Sequence, residues 1–183
     1  VFVALVTREA RTHEVSLAPG VLGIQAAARS GSWLLLRTLS LRLVLIATVV
    51  VATGLGTREL AAWHIVFTIF SLLALALDAL AIAAQALVGH DLGSGDLSSV
   101  RQTTSTLMAW GFFAGGMLAV LAGLVSPLMP FVMTSDQPLR EVLVVVLVLL
   151  ALTLPLSGFV FVLDGVLIGA GDGKYLALTG VLN

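Results

Sequence analysis

Val142-Leu143-Val144-Val145-Val146-Leu147-Val148-Leu149-Leu150-Ala151-Leu152 is an unbroken apolar run. A membrane barrel strand would alternate apolar and polar side chains over about ten residues; this run does not alternate. An α-helix satisfies its own backbone hydrogen bonds and can therefore cross lipid. Followed outward, the apolar character extends from about Arg140 to Ile168, longer than the roughly 20 residues that a span requires. The same reading places further spans at about 31–53, 59–89 and 100–125, and a truncated one at 174–183. The expected fold is an all-α integral membrane protein: a polytopic bundle of four complete transmembrane helices plus partial ones.

Composition agrees. The chain has 183 residues, of which 59% are hydrophobic and 10% charged, with a mean hydropathy of +1.12. Soluble domains carry about 45–50% apolar and roughly 25% charged residues. The figures exclude a disordered chain, a nucleic-acid binder and an ordinary cytosolic enzyme. Net charge is −1, so no basic patch is available to hold nucleic acid. Without cysteine, no disulfide or thiolate metal site can form. The expected location is the cell (inner or plasma) membrane, with several passes.

Residues 1–30 read as the end of a preceding helix (1–6) followed by a polar cytoplasmic connection, with a short interfacial helix over about 20–30. The lack of an initiator Met and the stop inside an apolar stretch predict an internal piece of a longer protein. Gly54-Leu55-Gly56-Thr57, Gly93-Ser94-Gly95-Asp96, the Pro127–Pro138 stretch and Gly169-Ala170-Gly171-Asp172 separate the spans. Glycine suits a left-handed helix C-cap and aspartate the next N-cap. Both Gly-x-Gly-Asp turns follow spans of the same direction and so belong to one side. That side collects Arg8, Arg11, Arg29, Arg101 and Lys174, against Arg58 and Arg140 on the other, which makes it cytoplasmic.

Enzyme motifs fail on inspection. Gly169–Lys174 resembles a phosphate loop, but Ile168 stands where the first glycine belongs and Tyr175 follows the lysine. His13, His64 and His90 lie in separate segments with no ligand spacing, so no metal site is expected, and no nucleophile–base arrangement is present. The chain does not read as an enzyme, and no catalytic residue is assigned.

Polar side chains inside the spans carry the functional information. His64, Ser71, Asp78 and Gln85 recur every seven residues and form one stripe about 30 Å long. Such a stripe cannot face lipid; it either lines a solvated cavity or provides hydrogen-bond glue between helices. Thr153, Ser157 and Asp164 share a face of the fourth span. Pro155 among them removes a backbone donor, predicts a kink and is a hinge candidate. An intramembrane acid marks a pathway or a proton site. Arg42 and Asp78 each lie about eleven residues from their cytoplasmic ends, so equal depth predicts an ion pair, with Arg37 and Asp164 in a shallower layer. Gly111, Gly115, Ala119 and Gly123, at i+4 spacing, predict a ridge that packs on a neighbouring helix.

Three stretches, Leu34–Arg42, Leu72–Gly89 and Phe161–Asp172, resemble the MATE family of multidrug and toxic-compound exporters, the last two its DinF-like branch. The resemblance implies twelve helices in two six-helix lobes around a central cavity, with residues 31–183 forming part of the C-terminal lobe. It implies that entry of H⁺ or Na⁺, and no other cofactor, drives export of a small organic, cationic or amphipathic compound. The partners it implies are membrane lipid and an N-terminal lobe outside this sequence. That lobe carries the branch's proton-accepting aspartate. Asp78, Gln85 and Asp164 match branch-typical positions.

The expected function is therefore cation-coupled antiport of drugs or toxic organic compounds by alternating access. Asp78, Asp164, Arg37, Arg42 and Gln85 are the coupling candidates, and His64, Ser71, Thr153 and Ser157 are the cavity-lining candidates. A lipid-linked oligosaccharide flippase of the same superfamily would line its cavity with several basic residues; only Arg37 and Arg42 qualify. A non-transporting membrane scaffold subunit would have little need of the polar stripes.

Overall fold

The computed structural model describes residues 21–182. They form α1 (Val21–Leu55), α2 (Thr57–Ser94), α3 (Leu97–Val125), the short α4 (Met129–Met133), α5 (Gln137–Gly169) and α6 (Gly173–Leu182), with no strand among the described residues. Four stretches are long and apolar enough to cross a membrane: Gly31–Leu55, Thr57–Ser94, Leu97–Val125 and Gln137–Gly169. The chain is an all-α, multi-pass membrane protein.

The helix-end and connection readings for residues 1–20 lie outside the described residues. From Val21 onward the expected separate interfacial helix is instead continuous with α1. Ala26-Ala27-Ala28-Arg29 are strong helix formers, and a lone Gly31 does not outweigh them.

α5 is the centre of the bundle. Its most apolar window is 28% buried, against 11% in α2 and α3 and 0% in α1. It packs most extensively on α3 and then on α2, while α1 lies chiefly against α6 and touches α2 more sparsely. Two apolar clusters tie α2 to α5. Ala62, Leu139 and Leu143 hold one end, and Ala84, Val88, Val162 and Val166 hold the other, the latter backed by Leu107 and Met108 of α3.

Small residues set these crossings. A Cβ on Gly111 would lie 2.6 Å from the Gly158 carbonyl oxygen, and one on Gly115 would lie 2.9 Å from Pro155 Cα. The antiparallel α3–α5 contact is thus backbone against backbone, as small residues allow in lipid. The ridge expected on α3 is half realised: Gly111 and Gly115 are buried in the contact, whereas nothing lies within 4 Å of a Cβ on Gly123. On the α2 side, Gly165 sits on Ala81 and Gly169 on Gln85. The constant offset means that α2 and α5 run parallel, so both Gly-x-Gly-Asp turns lie at one end.

The turns behave as their residues dictate. Gly95 is left-handed (φ 77°) and its N–H donates to the Leu92 carbonyl. Asp96 then accepts from the Ser98 and Ser99 N–H groups at the start of α3, and Asp172 accepts from Tyr175 N–H in α6. At the opposite end, Arg58 pairs with Asp136 at 3.0 Å, and Arg140 donates to the Thr134 carbonyl and lies over the Phe131 ring. α5 runs without a break through Pro155.

Candidate functional site

The site grows out of the tight turn at Gly56, which joins α1 directly to α2. Counted from Gly56, Arg37 lies 19 residues back and Asp78 22 residues on, so the two stand at nearly the same height. Arg42 lies only 14 residues back. At 1.5 Å per residue it is about 12 Å removed from Asp78 along the helix axes. The expected Arg42–Asp78 pair is therefore not formed. The expectation took 31 and 89 as level ends, but α1 begins at Val21 and α2 continues to Ser94, so the shared turn is the correct origin.

Arg37 instead forms a hydrogen-bonded ion pair with Asp164 of α5. The pair stands in a cavity of about 650 Å³ walled by α1, α2 and α5. Asp78, Ser71 and Gln85 line the same cavity. Two carboxylates thus share it with one guanidinium, and Asp78 has no cationic partner among the described residues. Two acids against one guanidinium leave the cavity lining with a net negative charge, which attracts a cation.

The rest of the lining is apolar and aromatic: Leu41, Val44 and Leu45 from α1, Phe67 and Phe70 from α2, and Val160 and Phe161 from α5. A few convergent polar groups within an apolar wall suit an amphipathic small molecule. Phe67 and Phe161 stand about one helical turn before Ser71 and Asp164, whereas Phe70 carried no sequence signal.

Other candidates lie elsewhere. His64 is exposed and meets Trp63 edge-on, with ring centroids 5.0 Å apart. Thr153 and Ser157 donate to carbonyls of α5 itself, those of Leu150 and Thr153, and do not line the cavity. They share a face with Asp164, but the cavity stops near Val160. Pro155 sits at the α3–α5 crossing, against Gly115. Arg42 lines a separate groove with Trp63 and Phe67.

A second polar cluster was not anticipated. Asp91, near the end of α2, accepts from Ser99 Oγ at 3.1 Å and Thr103 Oγ1 at 2.7 Å. These bonds clamp α2 to α3 across the Gly95 turn. The acid and its hydroxyls are twelve residues apart at most, so the turn alone could have suggested the contact.

Comparison with known proteins follows the same helices. The family profile MatE matches residues 34–182. Protein DETOXIFICATION 43 of Arabidopsis thaliana is 29% identical over 183 residues, covering 98% of this chain and 35% of its own length. Protein DETOXIFICATION 45, chloroplastic, of the same plant is 28% identical over 153 residues, covering 81% and 27%. Protein DETOXIFICATION 42 is 27% identical over 154 residues, covering 84% and 30%. The chain spans about a third of the length of these relatives. No solved structure matches it. Since the family match begins in α1 just before Arg37 and runs through every helix that walls the cavity, the chain belongs to the MatE family of membrane transporters.

Proposed function

We propose that this chain supplies part of the C-terminal lobe of an antiporter in the cell membrane, which couples entry of H⁺ or Na⁺ to export of a small organic compound. The observation that carries the reading is the cavity between α1, α2 and α5, which holds the Arg37–Asp164 pair and a second carboxylate, Asp78. Arg37 is paired with Asp164, and Asp78 has no cationic partner among the described residues, which suits it to receive the coupling cation or proton. The aromatic and aliphatic lining favours a cationic or amphipathic cargo.

Transport rather than catalysis fits the absence of a nucleophile–base arrangement in the sequence. The DinF-like character of Leu72–Gly89 and Phe161–Asp172 forms part of the same reading. A flippase for pyrophosphate-linked oligosaccharides is less well served, since Arg37 is the single basic residue lining this cavity among the described residues. Two of the relatives are named as chloroplastic, so the membrane itself is part of the proposal.

The test is efflux of a fluorescent organic cation from vesicles bearing the full-length protein, with the proton and sodium gradients collapsed in turn. Loss of efflux with one gradient identifies the coupling ion. Efflux indifferent to both gradients overturns the antiport reading.

A further inference from the structure

Arg42 stands in the middle of its span, 11 residues after Gly31 and 13 before Leu55. A guanidinium at that depth is costly and normally has a partner. Here it has none: no hydrogen bond or ion pair joins Arg42 to another described residue, and the cation–π contact formed by an arginine is that of Arg140 with Phe131. Arg42 lines a groove of about 300 Å³ between α1 and α2, together with Leu45, Ile46, Val49, Trp63 and Phe67.

The groove has a directional chemistry. One end carries the arginine; the wall from Leu45 to Val50 is aliphatic. The opposite wall is a stacked pair, Trp63 on Phe67, with centroids 4.9 Å apart and planes 6° from parallel. Trp63 and Phe67 are one helical turn apart and stack face to face, so the pair turns its ring edges to the groove. The groove is distinct from the polar cavity; Leu45 and Phe67 stand between the two and line both.

We propose that this groove is a binding site for a small apolar monocarboxylate with a flat aromatic body. The carboxylate pairs with the Arg42 guanidinium, whose planar fork matches its two oxygens. The aromatic body turns its face to the ring edges of the Trp63–Phe67 pair, an edge-to-face contact that adds to apolar burial. Charge complementarity selects the anion, because among the described residues the groove lining holds no acid and no carboxylate pairs with Arg42. The volume lies at the lower end of the range for small-molecule pockets, which restricts the ligand to about two or three fused rings with a short arm. The site does not depend on the transport reading: it concerns a different groove and is tested by binding.

The probe is 3-(9-anthracenyl)propionate, which has three fused rings, with neutral 3-(9-anthracenyl)propanol as the control for partition into lipid. Binding to the full-length protein in nanodiscs is read as anthracene emission excited through tryptophan. The expected result is saturable transfer with the acid and at least about tenfold weaker binding of the alcohol. Arg42→Gln should weaken the acid about tenfold or more, with Arg42→Lys in between and Gly123→Ala, at a position remote from the groove lining, unchanged. Equal binding of acid and alcohol to the unmodified protein overturns the proposal whether or not the variants fold. So does an unaltered affinity in a folded Arg42→Gln protein, which would mean that another part of the full-length chain neutralises Arg42.

Discussion

Arg37 and Asp164 form an ion pair that ties α1 to α5 across 127 positions of sequence. α1 otherwise leans on α6 and only sparsely on α2, so the pair is its main polar tether to the core of the bundle. The two side chains are 25% and 26% exposed, which leaves the pair partly solvated. Removing one partner strands a charge inside the cavity; removing both does not. Arg37→Gln and Asp164→Asn should each lower the melting temperature in detergent, and the double variant should lose less than their sum. A coupling of about 1–2 kcal/mol is expected, below the 3–5 kcal/mol cost of breaking fully buried pairs. Additive losses would mean that the tether contributes nothing.

The glycine contacts make a sharper comparison. Gly115→Ala places a methyl group against the Leu154 carbonyl and Pro155 Cα, both backbone, which cannot move aside cheaply. Gly123→Ala meets nothing within 4 Å. The first should cost about 1–3 kcal/mol by overpacking, and the second should be neutral or slightly stabilising through helix propensity. Thermal unfolding of the two variants side by side checks this; equal melting temperatures would remove the α3–α5 backbone contact.

The helices were legible because a run such as 142–152 has one physical solution in lipid. The contacts between them were legible only in part. His64, Ser71, Asp78 and Gln85 look like one stripe, but a straight helix drifts about 20° per heptad. Over three heptads His64 rotates away from the face that carries the other three, and it does not join them in the cavity. Thr153 and Ser157 share a face with Asp164 without sharing its neighbours, since a helix face gives direction but not height. The Arg42–Asp78 expectation failed on height as well. Gly158, Gly165 and Gly169 stood in plain view as partners for α3 and α2, yet their small size gains meaning only once the crossings are known.

The turn into α3 is sensitive to acid. Asp96 accepts from Ser98 Oγ at 2.6 Å and from two backbone N–H groups. The Ser98 hydroxyl first, and the Ser99 N–H next, hold its carboxyl below the ordinary value of 3.8. A depressed folded value means that the contribution is present above pH 3.8 and is lost as pH falls through the lower folded value. Asp96→Ala should therefore lower the melting temperature at pH 7, and the gap to the unmodified protein should close under strong acid. A constant gap at all pH values would show that the carboxylate does not cap α3.

The two acids of the cavity should separate by function. Asp164 is held by Arg37, so its neutral replacement acts through the tether and should alter stability as well as transport. Asp78 lines the same cavity without a cation, so Asp78→Asn removes charge but no ion pair. If Asp78 takes up and releases the coupling ion, the Asn variant should melt within a few degrees of the unmodified protein. It should nevertheless lose about tenfold or more of its gradient-driven efflux, because a neutral amide neither binds a proton nor attracts Na⁺. The pH profile of the remaining efflux should flatten, since the group whose charge varies through the cycle is gone. Asp78→Glu, which keeps the charge one methylene further out, should restore part of the rate and the pH dependence. Unchanged efflux with an unchanged pH profile in Asp78→Asn would instead leave Asp78 a structural polar group and place ion coupling elsewhere in the full-length protein.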